Sequence, residues 1–411
     1  MKNVIHLISV MSMVLFSMPL LAADWPQWGG PSGNGIAPTS PPLLTQFPAN
    51  GVAKLWTSED ILGGESGGWG SVAVCGGKAY VFVNRVKTAS PTTRETQYSV
   101  YCLDAATGKT LWRTSMTGCF LYFPCSTTPA IADGRCYVCN SEGRIFCLDV
   151  ADGNVVWTSA ALGAREFNHN RSSSVLVVDG VAIALIDKCA YGVDIRDGKT
   201  IWNDPKLAGG QRSSAVLWND SRTNWALLHA ADKLACVNPR DGTTRWSVPC
   251  GGVATPAVIA NYAAVSVGGG ANGLVVFRLT STGAEKLWSI PAKEDYSGPI
   301  ISGDDVYVVG GAYQEAGKGK ARCLNLTDGA ILWEELLGDA QLTSPVLADG
   351  KIITVSGSQL VVFTADPSRF TPVGKMDLGL DKWCSPTIAD GKAFLRTSKN
   401  VICVDLTAPK Q

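Results

Sequence analysis

Asp149-Val150-Ala151-Asp152-Gly153-Asn154 leads into Val155-Val156-Trp157, and the run returns as Asp104-Ala105-Ala106-Thr107-Gly108-Lys109 before Trp112. It returns again as Asp194-Ile195-Arg196-Asp197-Gly198-Lys199 before Trp202 and as Asn325-Leu326-Thr327-Asp328-Gly329 before Trp333. A Thr-Gly or Asp-Gly pair supplies the positive φ of a tight hairpin, so an apolar strand precedes each turn and a Trp-bearing strand follows it. Seven of the 13 Trp keep this phase: Trp56, Trp112, Trp157, Trp202, Trp246, Trp288 and Trp333, at intervals of 56, 45, 45, 44, 42 and 45. In the seventh repeat Asp366-Pro367-Ser368-Arg369 replaces the turn, and Met376 is expected in the Trp phase.

A second signature opens each repeat. It stands as Thr128-Pro129-Ala130-Ile131-Ala132-Asp133-Gly134, as Ser344-Pro345 through Asp349-Gly350 and as Ser385-Pro386 through Asp390-Gly391, with looser copies from Ser71, Ser174, Ser214, Thr255 and Gly298. Each opening reads as a short apolar strand, a hairpin and a second β-rich strand, so one repeat carries four antiparallel strands. Four-stranded repeats of ~40–45 residues are propeller blades, and eight openings predict an all-β, eight-bladed β-propeller. The last repeat ends near Val401-Ile402-Cys403-Val404-Asp405 without a Trp strand, whereas Val52-Ala53-Lys54-Leu55-Trp56 is a Trp strand without a repeat. The N-terminal strand is therefore expected to complete the last blade and close the ring.

Composition agrees. The 411 residues hold 44 Gly, 21 Pro and 46% hydrophobic residues against 17% charged, which excludes disorder, collagen and coiled coil. Lys and Arg number 35 and Asp and Glu number 35, so no basic field draws nucleic acid. Lys2, the apolar run Val4 to Leu21 and Leu21-Ala22-Ala23 read as a signal peptide over residues 1–23. An extended segment is expected over 24–51 and the propeller over 52–411. No second run is long enough to span a membrane, and Cys75 is the first Cys, so no lipid-anchoring Cys follows the signal. A periplasmic or secreted monomer is expected.

Of the 13 Cys, Cys102, Cys147, Cys236, Cys323 and Cys403 share one repeat position inside apolar strands and read as small core residues. Cys119 and Cys125 are the candidate disulfide. Cys136 and Cys139 lack a second pair, and His6, His169 and His229 are the only imidazoles, so no metal site is expected. The same scarcity, with no nucleophile elbow, argues against Ser or Cys hydrolysis.

The Asp-x-x-Thr/Asp-Gly-x-x-x-Trp endings resemble the tryptophan-docking motif of the PQQ-like β-propeller repeat family, which holds quinoprotein dehydrogenases and BamB-like propellers and overlaps in architecture with WD40-like repeats. The resemblance covers about residues 52–406 and implies that the phased Trp residues pack between adjacent blades. Asp24-Trp25-Pro26-Gln27-Trp28-Gly29-Gly30-Pro31 is also similar to the mature N-terminus of exported members, with Gly29 where Arg is usual. Fold does not assign function.

Counting back from each opening places candidate ligand-binding residues on one channel mouth: Trp69, Arg171, Arg212, Tyr296, Lys382 and Trp383. The aromatics suit stacking and the cations suit a carboxylate. These residues point to a non-catalytic binding or scaffolding propeller whose partner is a protein, peptide or glycan, with no catalytic residue and no cofactor. The alternative is a dehydrogenase dependent on PQQ and Ca²⁺, with Glu166, Asn168 and Asn170 as oxygen donors. The near-constant repeat interval leaves no insertion to roof such a site.

Overall fold

The computed structural model describes residues 23–61, 68–89, 94–119, 126–162, 173–186, 189–207, 213–252, 254–267, 270–292, 297–311, 317–339 and 343–409. Its strands form eight antiparallel four-stranded sheets. Blades 1 to 7 are consecutive in sequence: residues 73–119, 130–158, 176–204, 216–249, 257–292, 300–338 and 346–377. Blade 8 takes three strands from 387–405 and its outer strand, Ala53–Thr57, from the N-terminal part. Lys54 pairs with Val404 and Trp56 with Cys403, so the expected closure is present. Inner strands of neighbouring blades lie side by side, and that of blade 8 lies beside that of blade 1. Among the described residues no helix is long and apolar enough to cross a membrane.

What joins one blade to the next is the phased indole. Trp56, Trp112, Trp157, Trp202 and Trp288 each sit against the turn glycine of the following blade, where a Cβ on Gly108, Gly153, Gly198, Gly242 or Gly329 would come within 2.4–2.7 Å of the ring. All five glycines have positive φ, so the turn needs glycine twice over, for its backbone and for its lack of a side chain. The indole N–H then donates to a carbonyl of the same turn: Trp56 to Ala105 at 3.1 Å, Trp157 to Ile195 at 2.8 Å and Trp288 to Leu326 at 2.8 Å. Trp333 donates to Asp366 at 2.8 Å across the irregular turn and meets Phe370 edge-on instead of a glycine.

Trp246 is the exception. The turn it faces, Thr280-Ser281-Thr282-Gly283, is a two-residue hairpin, and the Trp246 Nε1 is buried with no hydrogen-bond partner. It packs edge-on against Trp218 at 6.1 Å, and Trp218 makes a separate bond to blade 5 by donating to Ala260 at 3.0 Å.

The repeated cysteine follows from the same geometry. Cys102, Cys147, Cys236, Cys323 and Cys403 pair across strands with Trp112, Trp157, Trp246, Trp333 and Trp56. On their other side stand Tyr80, Tyr137, Tyr307 and Phe394 in four of the five blades. A small residue on the third strand lets the flanking rings meet over it, as Tyr137 and Trp157 do at 5.9 Å. Blade 3 uses Gly192 there, and a Cβ would stand 2.4 Å from Trp202 Nε1. Burial pushes Cys102 and Cys147 up to about 11 and Cys236, Cys323 and Cys403 up to about 12, so these thiols are packing groups rather than nucleophiles.

Register corrects one expectation. Each outer strand carries a bulge directly before its Trp position, and in blade 7 the bulge falls at Val373, which puts Gly374 and not Met376 in the Trp phase. Phe47 of the N-terminal segment fills the vacant place: a Cβ on Gly374 would lie 2.3 Å from its ring, and the Phe47 N–H donates to Val373 at 2.9 Å. The eighth inter-blade aromatic thus arrives from far away in sequence. The bulges also turn Leu55, Leu111, Val156, Ile201 and Leu332 outward, which explains why these large apolar residues are exposed.

Removal of one indole N–H should separate the two kinds of seat. Trp157→Phe leaves the Ile195 carbonyl without its donor and should cost about 1 kcal/mol more than Trp246→Phe, where no bond is lost. Urea unfolding of the two variants measures the difference; equal losses would mean that the indole hydrogen bond contributes nothing to inter-blade docking.

Candidate functional site

Every inner strand runs from a mouth at its opening signature to a hairpin mouth, and the hydroxyls of that signature form a belt along the channel wall. The Ser71 N–H donates to Thr128 Oγ1, Thr128 to Ser174, Ser174 to Ser214 and Ser214 to Thr255, at 2.9–3.0 Å. Gly298 donates to Ser344 at 2.8 Å and Ser344 to Ser385 at 2.9 Å. In blades 2, 3, 4, 5, 7 and 8 the hydroxyl thus satisfies the opening amide of the blade before it, which is why Ser or Thr stands at this position. Gly298 has no hydroxyl to offer Thr255.

The hairpin mouth is filled. Asp24 accepts from the Gly76 N–H at 3.1 Å at blade 1, and Trp25 exchanges two backbone bonds with Val74 at 2.7 and 2.8 Å. The chain then turns up into the channel, where Ile131 donates to Pro26 at 2.8 Å and Leu347 to Gly35 at 2.7 Å, and leaves past Asp349, which accepts from the Leu43 N–H at 2.7 Å. Residues 25–37 therefore act as a plug hydrogen-bonded to the inner strands of blades 1, 2 and 7. Gly29, Gly30, Gly33 and Gly35 all have positive φ, which permits so tight a path. Between Trp28 and the hydroxyl belt remains a void of about 20 Å³, room for about one water.

The opposite mouth carries the sequence-predicted candidates. Trp69 and Trp383 come together at the junction of blades 8 and 1, their rings stacked at 4.8 Å and 28°. Both are half-buried, and Lys382 beside them is exposed. Arg171, Arg212 and Tyr296 lie outside the described residues, as do Glu166, Asn168, His169, Asn170 and the signal segment. Cys125 is outside them too, and Cys119 ends the outer strand of blade 1.

Sequence reading missed what lies beneath the Trp pair. Arg396, 2% exposed, ends the second strand of blade 8 and donates to the Gly70 carbonyl at 3.3 Å. The Asp381 backbone N–H donates to the Arg396 carbonyl at 2.9 Å, and Asp381 Oδ1 accepts from the Trp383 N–H at 3.0 Å. Burial raises the Asp381 carboxyl above the ordinary range, against the pull of the Trp383 N–H and the Arg396 charge. Cys384, its thiol raised by burial, donates to the Gly68 carbonyl at 3.2 Å. The one available signal was an Arg closing the apolar strand Lys392–Arg396.

His229 is a core residue. Its Nδ1–H donates to Ala254 at 2.7 Å, its Nε2 is 4.0 Å from Cys250 Sγ, and burial pulls its pKa down. Cys250 is pushed up to about 12 by burial, so the pair makes no thiolate nucleophile. Among the described residues no three His, Cys, Asp or Glu side chains gather as metal ligands, and Cys136 and Cys139 are buried thiols.

Stacked indoles couple electronically, so the protein should show a tryptophan exciton couplet in its far-ultraviolet circular dichroism. Trp69→Phe and Trp383→Phe should each weaken it, leaving the contribution of the Trp218–Trp246 contact, whereas Trp288→Phe should leave it unchanged; a couplet unaltered by both rim substitutions would show that the rim pair does not stack.

A search of curated proteins finds no sequence match to the chain. Among solved structures it is similar to BamB from Moraxella catarrhalis, at TM-score 0.62 and 14% identity over 86% of this chain and 98% of that one. It is similar to quinohemoprotein alcohol dehydrogenase from Comamonas testosteroni at TM-score 0.63 and 11% identity over 95% and 81%. The computationally designed Ika8 protein matches at TM-score 0.59 and 12% identity over 86% and 99%. At these identities the likeness concerns the fold alone. The family model described as outer membrane protein assembly factor BamB matches residues 44–224 and 98–335, and with the docked Trp repeats this places the chain in the PQQ-like β-propeller repeat family.

Proposed function

We propose that the protein is an exported, non-catalytic binding or scaffolding propeller of the cell envelope, which takes a protein, peptide or glycan on the Trp69–Trp383 rim. The observation that carries this reading is the mutual stacking of the two indoles. At 4.8 Å between ring centres no second ring enters between them, so a ligand meets their outer faces and Lys382 rather than a buried slot. Supporting it, the voids beside Trp28 of the plug hold about 20 Å³ and about 10 Å³, each too small for a ligand of that class, so a ligand is held at the surface of the mouth.

The PQQ- and calcium-dependent dehydrogenase is the second reading, favoured by the fold it shares with the quinohemoprotein dehydrogenase. The described residues fit that group poorly. Calcium takes roughly six to eight oxygen ligands with carboxylates prominent among them. The carboxylate beside the Trp pair, Asp381, is shifted toward its neutral form by burial and accepts a backbone N–H. No carboxylate cluster stands beside it among the described residues.

Purified protein mixed with PQQ and Ca²⁺ should bind no stoichiometric quinone and reduce no dye with primary alcohols. Quinone absorbance that co-elutes with the protein, together with alcohol-dependent turnover, would overturn the binding reading.

A further inference from the structure

Seven of the eight blades join their two inner strands by a two-residue turn: Gly76-Gly77, Asp133-Gly134, Asp179-Gly180, Ala260-Asn261, Gly303-Asp304, Asp349-Gly350 and Asp390-Gly391. Blade 4 departs from the rule. Its ladder continues one pair further, to Asn219 and Asn224, and a four-residue turn, residues 220–223, stands between them where the others have two. The repeat is its own control here: a ring of eight copies needs no insertion to close, and extra residues in one copy of a repeat map to one face and often to binding.

The insertion is rigidly built. Asn219 Oδ1 accepts from the Ser221 N–H at 2.8 Å, which holds Ser221 at φ 74, a strained value for a residue other than glycine. Asp220 Oδ1 accepts from the N–H groups of Arg222 at 3.1 Å and Thr223 at 2.9 Å. Its Oδ2 accepts from Trp225 Nε1 at 3.1 Å and from Arg245 at 3.0 Å, and the Arg245 guanidinium lies 4.3 Å over the Trp225 ring. These restraints fix the backbone from which the exposed Arg222 side chain projects.

The hairpin walls a cleft of about 310 Å³ shared with the first hairpin of blade 3 and the outer turn of blade 4, lined by Asp179, Asn219, Arg222, Asn224, Asn238 and Arg240 with Thr223. That volume is at the lower end of small-ligand sites, the size for one sugar ring. Its walls are carboxamide, guanidinium and hydroxyl, with no aromatic platform on which a neutral sugar would stack. The single carboxylate is committed: Asp179 Oδ1 accepts from Asn224 at 2.8 Å, and Oδ2 pairs with Arg240 at 3.3 Å. Asn219 in turn donates to Asn224 at 2.8 Å, so a relay runs from blade 4 into blade 3. With Asp179 set against Arg240, the guanidinium of Arg222 leaves the cleft an excess of positive charge, and a planar fork of donors matches a carboxylate.

We infer that this cleft is a second ligand site, distinct from the Trp rim, for a small hydroxylated carboxylate of the sugar-acid class, its carboxylate on Arg222 and Arg240 and its hydroxyls among the three Asn side chains and Thr223. The probes are D-glucuronate, D-glucose and inorganic sulfate, titrated calorimetrically or by NMR into the full chain. Glucuronate should bind saturably and weaken as salt rises, and glucose should bind at least tenfold more weakly. Arg222→Gln should weaken glucuronate at least tenfold at unchanged melting temperature, because its side chain is exposed. Replacing residues 219–224 with an Asp-Gly pair, the turn of the other blades, should abolish binding in a protein that still melts cooperatively. Three results overturn the assignment: glucuronate that does not saturate, glucuronate no tighter than glucose or sulfate, or Arg222→Gln that binds as the parent does.

Discussion

The ring depends on one contact repeated around it: an indole at the outer edge of one blade lying flat on the turn glycine of the next. Blades are otherwise self-contained sheets whose hydrogen bonds stay inside them, so something must fix their angle and spacing. Trp fills that role because it couples a large apolar area to one directed donor, and the turn offers both a bare Cα and a carbonyl. The bulge before each Trp position turns the ring toward the neighbour, and the small residue opposite lets it lie down. Where one partner is missing the structure substitutes rather than leaves a gap, with Trp218 beside Trp246, Phe370 beside Trp333 and Phe47 over Gly374.

Much of this was legible in the residues, because a repeat displays its constraints several times. The Trp phase, the turn glycines and the orphan strand at Ala53–Thr57 led to eight blades and to closure, since each is a local feature with a fixed period. The opening Ser or Thr was equally visible, but its reason was not: a hydroxyl that serves the preceding blade is meaningful only once the blades are neighbours. Cys102 and its equivalents read as small core residues, and the geometry adds why small is required. Met376 misled because spacing alone does not register a bulge, and Phe47 was invisible because it stands 327 positions from the glycine it covers.

Function was less legible for a different reason. Repeats advertise what all copies share, whereas binding resides in what one copy does alone. Trp69 and Trp383 could be placed together because closure makes blades 8 and 1 neighbours, but the buried Arg396 and Asp381 under them carry no periodic signal. The longer hairpin of blade 4 was present in the residue count all along, hidden by a spacing of 44 between Trp202 and Trp246 that looks ordinary.

The N-terminal segment carries a consequence for the order of events during folding. It supplies the plug, the aromatic over blade 7 and the outer strand of blade 8, yet Trp56 pairs with Cys403, which stands 347 positions later in the chain. The strand Ala53–Thr57 therefore precedes all seven other blades in the chain and finds its partner strand after them. Until the final blade exists, the strand Ala53–Thr57 has no neighbouring strand to pair with. Contacts of such long sequence separation are slow to form. The interval between synthesis and closure is when this propeller is most open to capture by other proteins or by its own copies.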